Sequence, residues 1–173
     1  MRTIETARLI LEPQQARHAP EMYAVLSDPA IYDFENAPPP DPAWLTCRFE
    51  RLETRLSPDG SEQWLNWVVR LRDGWRLIGY VQATVRPDAG ARIAYELDSA
   101  CWSRGFGREA VGAMIRELGA AHRVAVASAV FKRDNFRSRR LLLRLGFAPV
   151  PAPERAGALE PDEDMMVLTI RAP

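Results

Sequence analysis

The chain has 173 residues, of which 47% are hydrophobic, and its 23 basic and 23 acidic side chains balance. This length predicts a single domain over residues 1–173, and the balanced charge argues against a nucleic-acid-binding protein. No apolar run approaches the ~20 residues of a membrane span, and residues 1–6 lack the apolar stretch of a signal peptide. Cys47 and Cys101 have no metal-ligand spacing, so we expect two free thiols, no metal and a cytoplasmic protein.

The first half of the sequence predicts a strand, two helices and a meander of three antiparallel strands. Asp28-Pro29 interrupts the first helical pattern, and Asp41-Pro42 is typical of an N-cap followed by proline at the first helical position. Branched and aromatic residues alternate with turn sequences in the meander. The expected elements are strand 9–13, helix 14–27, helix 41–56, and strands 64–71, 77–85 and 92–97.

The second half predicts two helices that alternate with strands. The expected elements are helix 104–120, strand 123–131, helix 135–145, and strands 147–150 and 165–170. The order of strands, helix, strand, helix and strands predicts an α/β (α+β) fold with a mixed sheet that helices flank.

The segment Trp102–Ala110 joins the meander to the third helix and carries two glycines, Gly105 and Gly107. Glycines permit a tight turn with uncovered N–H groups, and such groups at a helix N-terminus favour a phosphate or pyrophosphate. An isolated Gly-x-Gly also simply starts many helices. Ala110 takes the third glycine position of the dinucleotide motif, the turn follows an antiparallel meander, and no Gly-Lys-Ser or Gly-Lys-Thr occurs. The pattern therefore favours a pyrophosphate site outside both nucleotide-binding folds.

A second motif lies in the last helix, which Asn135 and Ser138 open and Gly146-Phe147 close. Together with Arg104–Gly107, it resembles the GCN5-related N-acetyltransferases (GNAT). The opening TARLILEP and the segment LIGYVQATV are similar to the branch of ribosomal-protein alanine acetyltransferases. The resemblance implies the GNAT fold, which has a mostly antiparallel sheet of six to seven strands, splayed at the cofactor site, and about four helices.

The resemblance also implies that acetyl-CoA is the co-substrate, with its pantetheine arm beside the strand before the turn and its pyrophosphate on the turn. It assigns cofactor binding to Tyr95, Leu97, Arg104, Gly105, Phe106, Gly107, Arg108, Glu109, Asn135, Arg137 and Ser138. Arg137, Arg139 and Arg140 lie where a guanidinium could pair with the 3′-phosphate. A basic solvated face is the other interpretation of these arginines and of Lys132 and Arg133.

The implied reaction moves an acetyl group from a thioester to a primary amine. The amine must lose a proton first, and Glu96 is the nearest carboxylate on the strand before the turn; a surface or salt-bridged glutamate is the alternative. Ser138 is the candidate proton donor to the departing thiolate, unless its hydroxyl only caps the helix. Two family features are missing. Leu142 replaces a common tyrosine, and Arg92-Ile93-Ala94-Tyr95 replaces Glu-Ile-Gly-Tyr.

The acceptor is expected at residues 31–44, where Asp33, Glu35 and Asp41 would favour a cationic amine such as a protein N-terminus, a polyamine or an aminoglycoside. The basic stripe on the second helix, Arg48, Arg51 and Arg55, is interpreted as a solvated face, with contact to the substrate as the alternative. His18 and His122 are not expected to be catalytic. A non-catalytic acyl-CoA-binding module on the same fold is the alternative function. Homodimers are common in the resembled branch, although nothing in the sequence demonstrates one.

Overall fold

The computed structural model describes residues 1–34, 36–151 and 159–170. The helices are α1 (Ala19–Leu26), α2 (Pro42–Leu52), α3 (Phe106–His122) and α4 (Phe136–Arg144). The strands are β1 (Ile4–Glu5), β2 (Leu9–Pro13), β3 (Gln63–Leu71), β4 (Leu77–Val85), β5 (Gly90–Leu97), β6 (Val126–Lys132), β7 (Ala148–Pro149) and β8 (Glu163–Thr169). Short 3₁₀ turns lie at Ala16–His18, Pro29–Tyr32 and Ser99–Cys101.

The strands form one sheet in the order β1-β2-β3-β4-β5-β6-β8-β7. β5 and β6 run parallel, and the other paired strands among the described residues run antiparallel. The β5–β6 pairing covers only Gly90–Arg92 against Val126–Ser128. The two strands then diverge, which confirms the mixed, mostly antiparallel GNAT sheet with its splay. The sheet has eight strands because the two-residue β1, which the sequence did not predict, adds one to the expected set.

Most element boundaries differ from the sequence prediction by one or two residues, and three larger differences have a local reason. α2 ends at Leu52, since Arg55 adopts a positive φ of 59° and Leu56 instead forms a bridge with Gln63. β6 begins at Val126 because Arg123 caps α3 in the left-handed conformation. The predicted first helix is divided into a 3₁₀ turn and α1.

Each face of the sheet carries its own hydrophobic core. α3 packs on one face, where Ile93 and Leu97 of β5 are buried with Met114 and Leu118. α1 and α2 cover the other face through a second cluster that includes Met22, Leu45, Phe49, Val68 and Leu77. Because side chains alternate along a strand, Glu96 faces the α2 side while its neighbours Tyr95 and Leu97 face the α3 side.

Gly79 of β4 pairs with Leu97, the last residue of β5. Its φ is +147°, and a Cβ there would lie 2.1 Å from the carbonyl oxygen of Glu96. We expect Gly79→Ala to lower the free energy of unfolding by about 3 kcal/mol or more, because backbone must move; urea denaturation measures this. Gly74→Ala is the control, since Gly74 also has a positive φ but no atom within 4 Å of the added Cβ. Equal losses in the two variants would contradict the assignment.

Candidate active site

A cleft of about 890 Å³ opens where β5 and β6 diverge. It has two halves, which we name by the helix beside each. The α2 half is lined by Gln14, which follows β2, and by residues of the segment before α2, of α2 itself and of β3–β5, including Tyr32, Arg48, Asn66, Tyr80, Gln82 and Glu96. The α4 half is lined by Tyr95, Leu97, Trp102, Gly105, Phe106, Gly107, Arg108, Asn135, Arg137, Ser138, Arg140, Leu141 and Arg144.

The start of α3 lies in the α4 half with its backbone donors uncapped. Gly105 is the N-cap residue, its φ of +82° gives the left-handed turn that the Gly-x-Gly pattern predicts, and no side chain caps this end in the described structure. The first N–H groups of an α-helix have no acceptor within the helix. Phe106, Gly107 and Arg108 therefore offer N–H donors and the positive end of the helix dipole, which together favour an anion.

Arg104 and Glu109 are absent from the residues that line the cleft, although the sequence placed them on the pyrophosphate. The Glu109 N–H donates to the Gly105 carbonyl oxygen at 3.1 Å. Its carboxylate accepts hydrogen bonds from the Thr6 hydroxyl and from Arg8 Nε, both at 2.7 Å. Arg8 also donates to the Arg104 carbonyl oxygen at 3.0 Å. Both residues thus tie the turn to the chain ahead of β2 and support it from outside.

Gly107 faces α4. A Cβ at this position would lie 2.7 Å from Leu141 Cδ1, so the missing side chain allows α4 to pack against the start of α3. Leu141 occupies the position next to the glycine and itself lines the cleft.

Trp102 braces the turn through contacts on both sides. Its indole N–H donates to the Leu97 carbonyl oxygen at 2.8 Å. The Arg137 guanidinium lies 3.8 Å from the centroid of the Trp102 ring, and Arg137 Nη2 donates to Asp33 Oδ2 at 3.2 Å. Arg137 therefore links α4, the turn and the segment before α2, which gives it partners other than a phosphate.

Tyr95 and Ser138 meet in the α4 half, where their hydroxyl oxygens are 2.7 Å apart. Burial raises the pKa of Tyr95 to about 12, although the hydrogen bond with Ser138 opposes the shift. The phenol is thus protonated at neutral pH. The side-chain oxygen of Asn135 accepts from the Ser138 N–H at 3.0 Å and caps α4. Asn135 therefore performs the capping that was the alternative role of Ser138, whose hydroxyl contacts Tyr95 instead.

Glu96 lies in the α2 half beside two tyrosines that the sequence analysis missed. Tyr80 is its cross-strand partner, and burial, the charge of Glu96 and a hydrogen bond to Glu96 raise the pKa of Tyr80 well above its ordinary value. Burial and the charges of Glu96 and Asp28 also raise the pKa of Tyr32. The register of β4 and β5 could have identified Tyr80 as a neighbour of Glu96, whereas Tyr32 lies near Glu96 only because of the tertiary fold. Glu96 is thus a carboxylate among protonated phenols.

Other basic residues divide between the cleft and its surroundings. Arg108, Arg140 and Arg144 line the α4 half, and Arg139 is not among the lining residues. Lys132 pairs with Asp162 at 2.9 Å, and Arg133 lies 3.7 Å from Asp164. The described cations that line the α4 half are therefore those of α3 and one face of α4.

The acidic segment that the sequence proposed as a lip for cationic acceptors has other contacts. Asp41 caps α2, accepting from the Trp44 N–H at 2.7 Å, and Asp33 pairs with Arg137. Glu35 lies outside the described residues. His18 and His122 contact Glu12 and Gln63 respectively, away from the cleft lining.

The described residues contain neither a membrane-spanning helix nor a cluster of metal ligands. No helix among them is long and apolar enough to cross a membrane. No group of three or more His, Cys, Asp or Glu side chains within residues 1–34, 36–151 and 159–170 is arranged to hold a metal ion.

Comparison with known proteins identifies the class to which this fold and cleft belong. Residues 8–148 match the acetyltransferase (GNAT) domain family. The chain is 28% identical over 149 residues to the uncharacterized N-acetyltransferase YoaA of Bacillus subtilis (strain 168), covering 83% of this chain and 81% of YoaA. The chain therefore belongs to the GNAT family and is an acetyltransferase.

Solved structures share its fold. RimL, a ribosomal L7/L12 alpha-N-protein acetyltransferase in complex with coenzyme A, superimposes with a TM-score of 0.82 at 15% identity, covering 99% of both chains. The ribosomal-protein-S5-alanine acetyltransferase of Vibrio fischeri gives a TM-score of 0.78 at 17% identity, covering 97% of this chain and 96% of its own. At these identities the likeness concerns the fold, and it agrees with the branch that the sequence resembles.

Proposed function

We propose that this protein is an acetyl-CoA-dependent N-acetyltransferase that moves an acetyl group directly from the CoA thioester to a primary amine, either of a protein N-terminus or of a small molecule. The observation that carries the proposal is the single cleft at the splay of the sheet. It joins the uncapped start of α3 to the carboxylate of Glu96. An anion-binding half and a base-containing half are what an acyl donor with a pyrophosphate and an amine acceptor require.

The α4 half suits acetyl-CoA, whose thioester supplies the activated acetyl group. The N–H groups of Phe106, Gly107 and Arg108 would hold the pyrophosphate. β5 beyond its last pairing with β6 would hold the pantetheine arm beside Tyr95 and Leu97. The positive charge of the helix dipole and of the arginines that line this half matches the phosphates of CoA.

Glu96 is the proposed general base. An acceptor amine is an ammonium ion at neutral pH and must lose a proton before its nitrogen can attack. Glu96 faces the α2 half, which is the side of the sheet away from the start of α3. Tyr80 and Tyr32 beside it stay protonated, since their pKa values are raised, so Glu96 is the proton-accepting group of this cluster.

Ser138 is the proposed proton donor to the departing sulfur. Its hydroxyl lies against Tyr95 at 2.7 Å, and the phenol is protonated because its pKa is about 12. A proton that leaves Ser138 Oγ can therefore be replaced from Tyr95. This pair occupies the α4 half, on the opposite face of β5 from Glu96, so base and acid lie on either side of the strand. Buried Leu142 stands at the position where the resembled family commonly has a tyrosine. In this proposal the Ser138–Tyr95 pair takes the place of that tyrosine.

The alternative, a non-catalytic acyl-CoA-binding module, has no specific observation in its favour, and membership of the acetyltransferase family weighs against it. We place the activity in the cytoplasm, because Cys47 and Cys101 are both free and free thiols are typical of a reducing compartment.

Replacing the base tests the proposed reaction most directly. We expect Glu96→Gln to lower kcat by about 100-fold or more, since general-base catalysis contributes at least that much, and to leave acetyl-CoA binding unchanged. Thiol release with a panel of amines measures the first quantity and calorimetry the second. Glu62→Gln, on the loop before β3 and away from the cleft lining, is the matched control. Unchanged turnover and an unchanged pH–rate profile in Glu96→Gln would contradict the role.

Ser138→Ala isolates the proton donor, because Asn135 caps α4 through the Ser138 N–H and that bond survives the replacement. We expect kcat to fall by about tenfold to 100-fold, with the KM for acetyl-CoA nearly constant. The loss should shrink with acyl donors whose thiol has a lower pKa, since such thiolates leave without a proton. A loss that is equal for all donors would show that Ser138 only shapes the site.

Arg140 is the proposed partner of the 3′-phosphate, since it lines the cleft and neighbouring Arg139 does not. We expect Arg140→Gln to weaken CoA binding by about tenfold, the loss of one charge-assisted contact, and to leave 3′-dephospho-CoA binding almost unaffected. Arg139→Gln should bind both molecules like the wild type. Calorimetry gives the four dissociation constants, and a parallel loss for both ligands in Arg140→Gln would refute the assignment.

A further inference from the structure

Arg48 is the member of the basic stripe on α2 that lines the cleft; Arg51 and Arg55 do not. Its guanidinium lies 5.6 Å from the centroid of the Trp44 ring. None of the ion pairs within the described part of the chain includes Arg48. The proposed chemistry needs a base in the α2 half but not a cation. A cation there consequently points to something that the acceptor carries besides its amine.

Gln14 supplies an independent observation in the same half. The residue is 5% exposed and lines the cleft, and its side-chain Nε2 has no hydrogen-bond partner among the described residues. Buried polar atoms are nearly always hydrogen-bonded, and an amide nitrogen can only donate. The group that satisfies Gln14 Nε2 must therefore present an oxygen or another acceptor atom.

Arg48, Glu96 and Tyr80 all line the α2 half of the cleft, and Tyr80 is the cross-strand partner of Glu96. The charge of Glu96 raises the pKa of Tyr80, and the charge of Arg48 lowers it. The α2 half thus holds one positive and one negative group close to the same point. Asp33 and Asp41, the described carboxylates of the adjoining segment, are used by Arg137 and by the N-terminus of α2. This arrangement suits a molecule with both charges better than a polycation.

We propose that the acceptor is an amine that also bears an anionic oxygen group, a carboxylate or a phosphoryl group, which Arg48 and Gln14 bind while the amine faces Glu96. The inference rests on the proposed function and names the substrate class of that same site. Two sources offer this chemistry: a small amino compound with its own anionic group, and a peptide N-terminus with an acidic residue beside it. A guanidinium binds oxyanions of either source through charge-assisted hydrogen bonds.

Acceptors that match in size and differ in charge test the inference with the full chain. One pair is aspartic acid α-amide and asparagine amide, which represents the small compounds. The peptide set is Ser-Glu-Ala, Ser-Gln-Ala and Ser-Lys-Ala, all amidated. We expect the anionic member of at least one set to have a kcat/KM about tenfold above its neutral partner, chiefly through KM. The lysine peptide should be the poorest acceptor. The set that shows the preference identifies the source.

Variants of α2 connect the preference to Arg48. Arg48→Gln should reduce the anionic preference to about twofold or less, and Arg48→Glu should reverse it in favour of the lysine peptide, since charge complementarity sets the order. Arg51→Gln, on the same helix but not in the cleft lining, should keep the wild-type preference. Gln14→Leu should weaken the preference in part, with its melting temperature monitored because the residue is buried.

Binding of the same acceptors to the CoA-bound protein, measured by calorimetry, separates this inference from the proposed function. Transfer to amines without any anionic preference, or a preference that survives Arg48→Gln, overturns the inference and leaves the function standing. Preferential binding of the anionic members without transfer supports the anion site and overturns the function. Neither transfer nor preferential binding overturns both.

Discussion

The divergence of β5 from β6 is the feature on which the site depends. After three paired residues, the backbone of each strand loses its partner on that side, and groups that a continued ladder would satisfy face a cleft instead. An unpaired strand edge is a template for another extended chain. Here α3 and α4 on one face and α1 and α2 on the other enclose it, and the proposed function places the acyl donor in the α4 half and the acceptor in the α2 half.

The two halves of the cleft differ in their charge. The α4 half combines the uncapped helix start with four arginines, and Glu109, a carboxylate in the first turn of α3, is held by Arg8 and Thr6 behind it. The α2 half places Glu96 among phenols and opposite Arg48. This difference in charge favours the proposed placement of a polyanionic acyl donor in the α4 half and of the proposed base in the α2 half. The strand β5 carries groups of both halves, since alternate residues face opposite sides.

Much of the fold was accessible from local patterns. The proline after Asp41 and the capping oxygen of Asp41 predicted the start of α2, and the Gly-x-Gly turn predicted an uncapped start of α3. The alternation along β5 separated Glu96 from Tyr95. These features follow from neighbours along the chain, so spacing is enough to find them. The sequence did not predict the extra strand β1 or the early end of α2, because both depend on a pairing or a backbone conformation that apolar spacing does not encode.

The sequence by itself determined the family, the position of the Gly-x-Gly turn at the start of α3 and the two faces of β5, because motif, glycine and alternation are properties of consecutive residues. Only the tertiary structure decided which side chains serve the site. It left Arg104 and Glu109 outside the residues that line the cleft, and it placed Arg137 in contact with Trp102 and Asp33. It also brought Ser138 to Tyr95, Tyr32 and Tyr80 to Glu96, and Arg48 into the cleft. These partners come from segments far apart in the chain, and their meeting depends on how helices pack across the two faces of a splayed sheet.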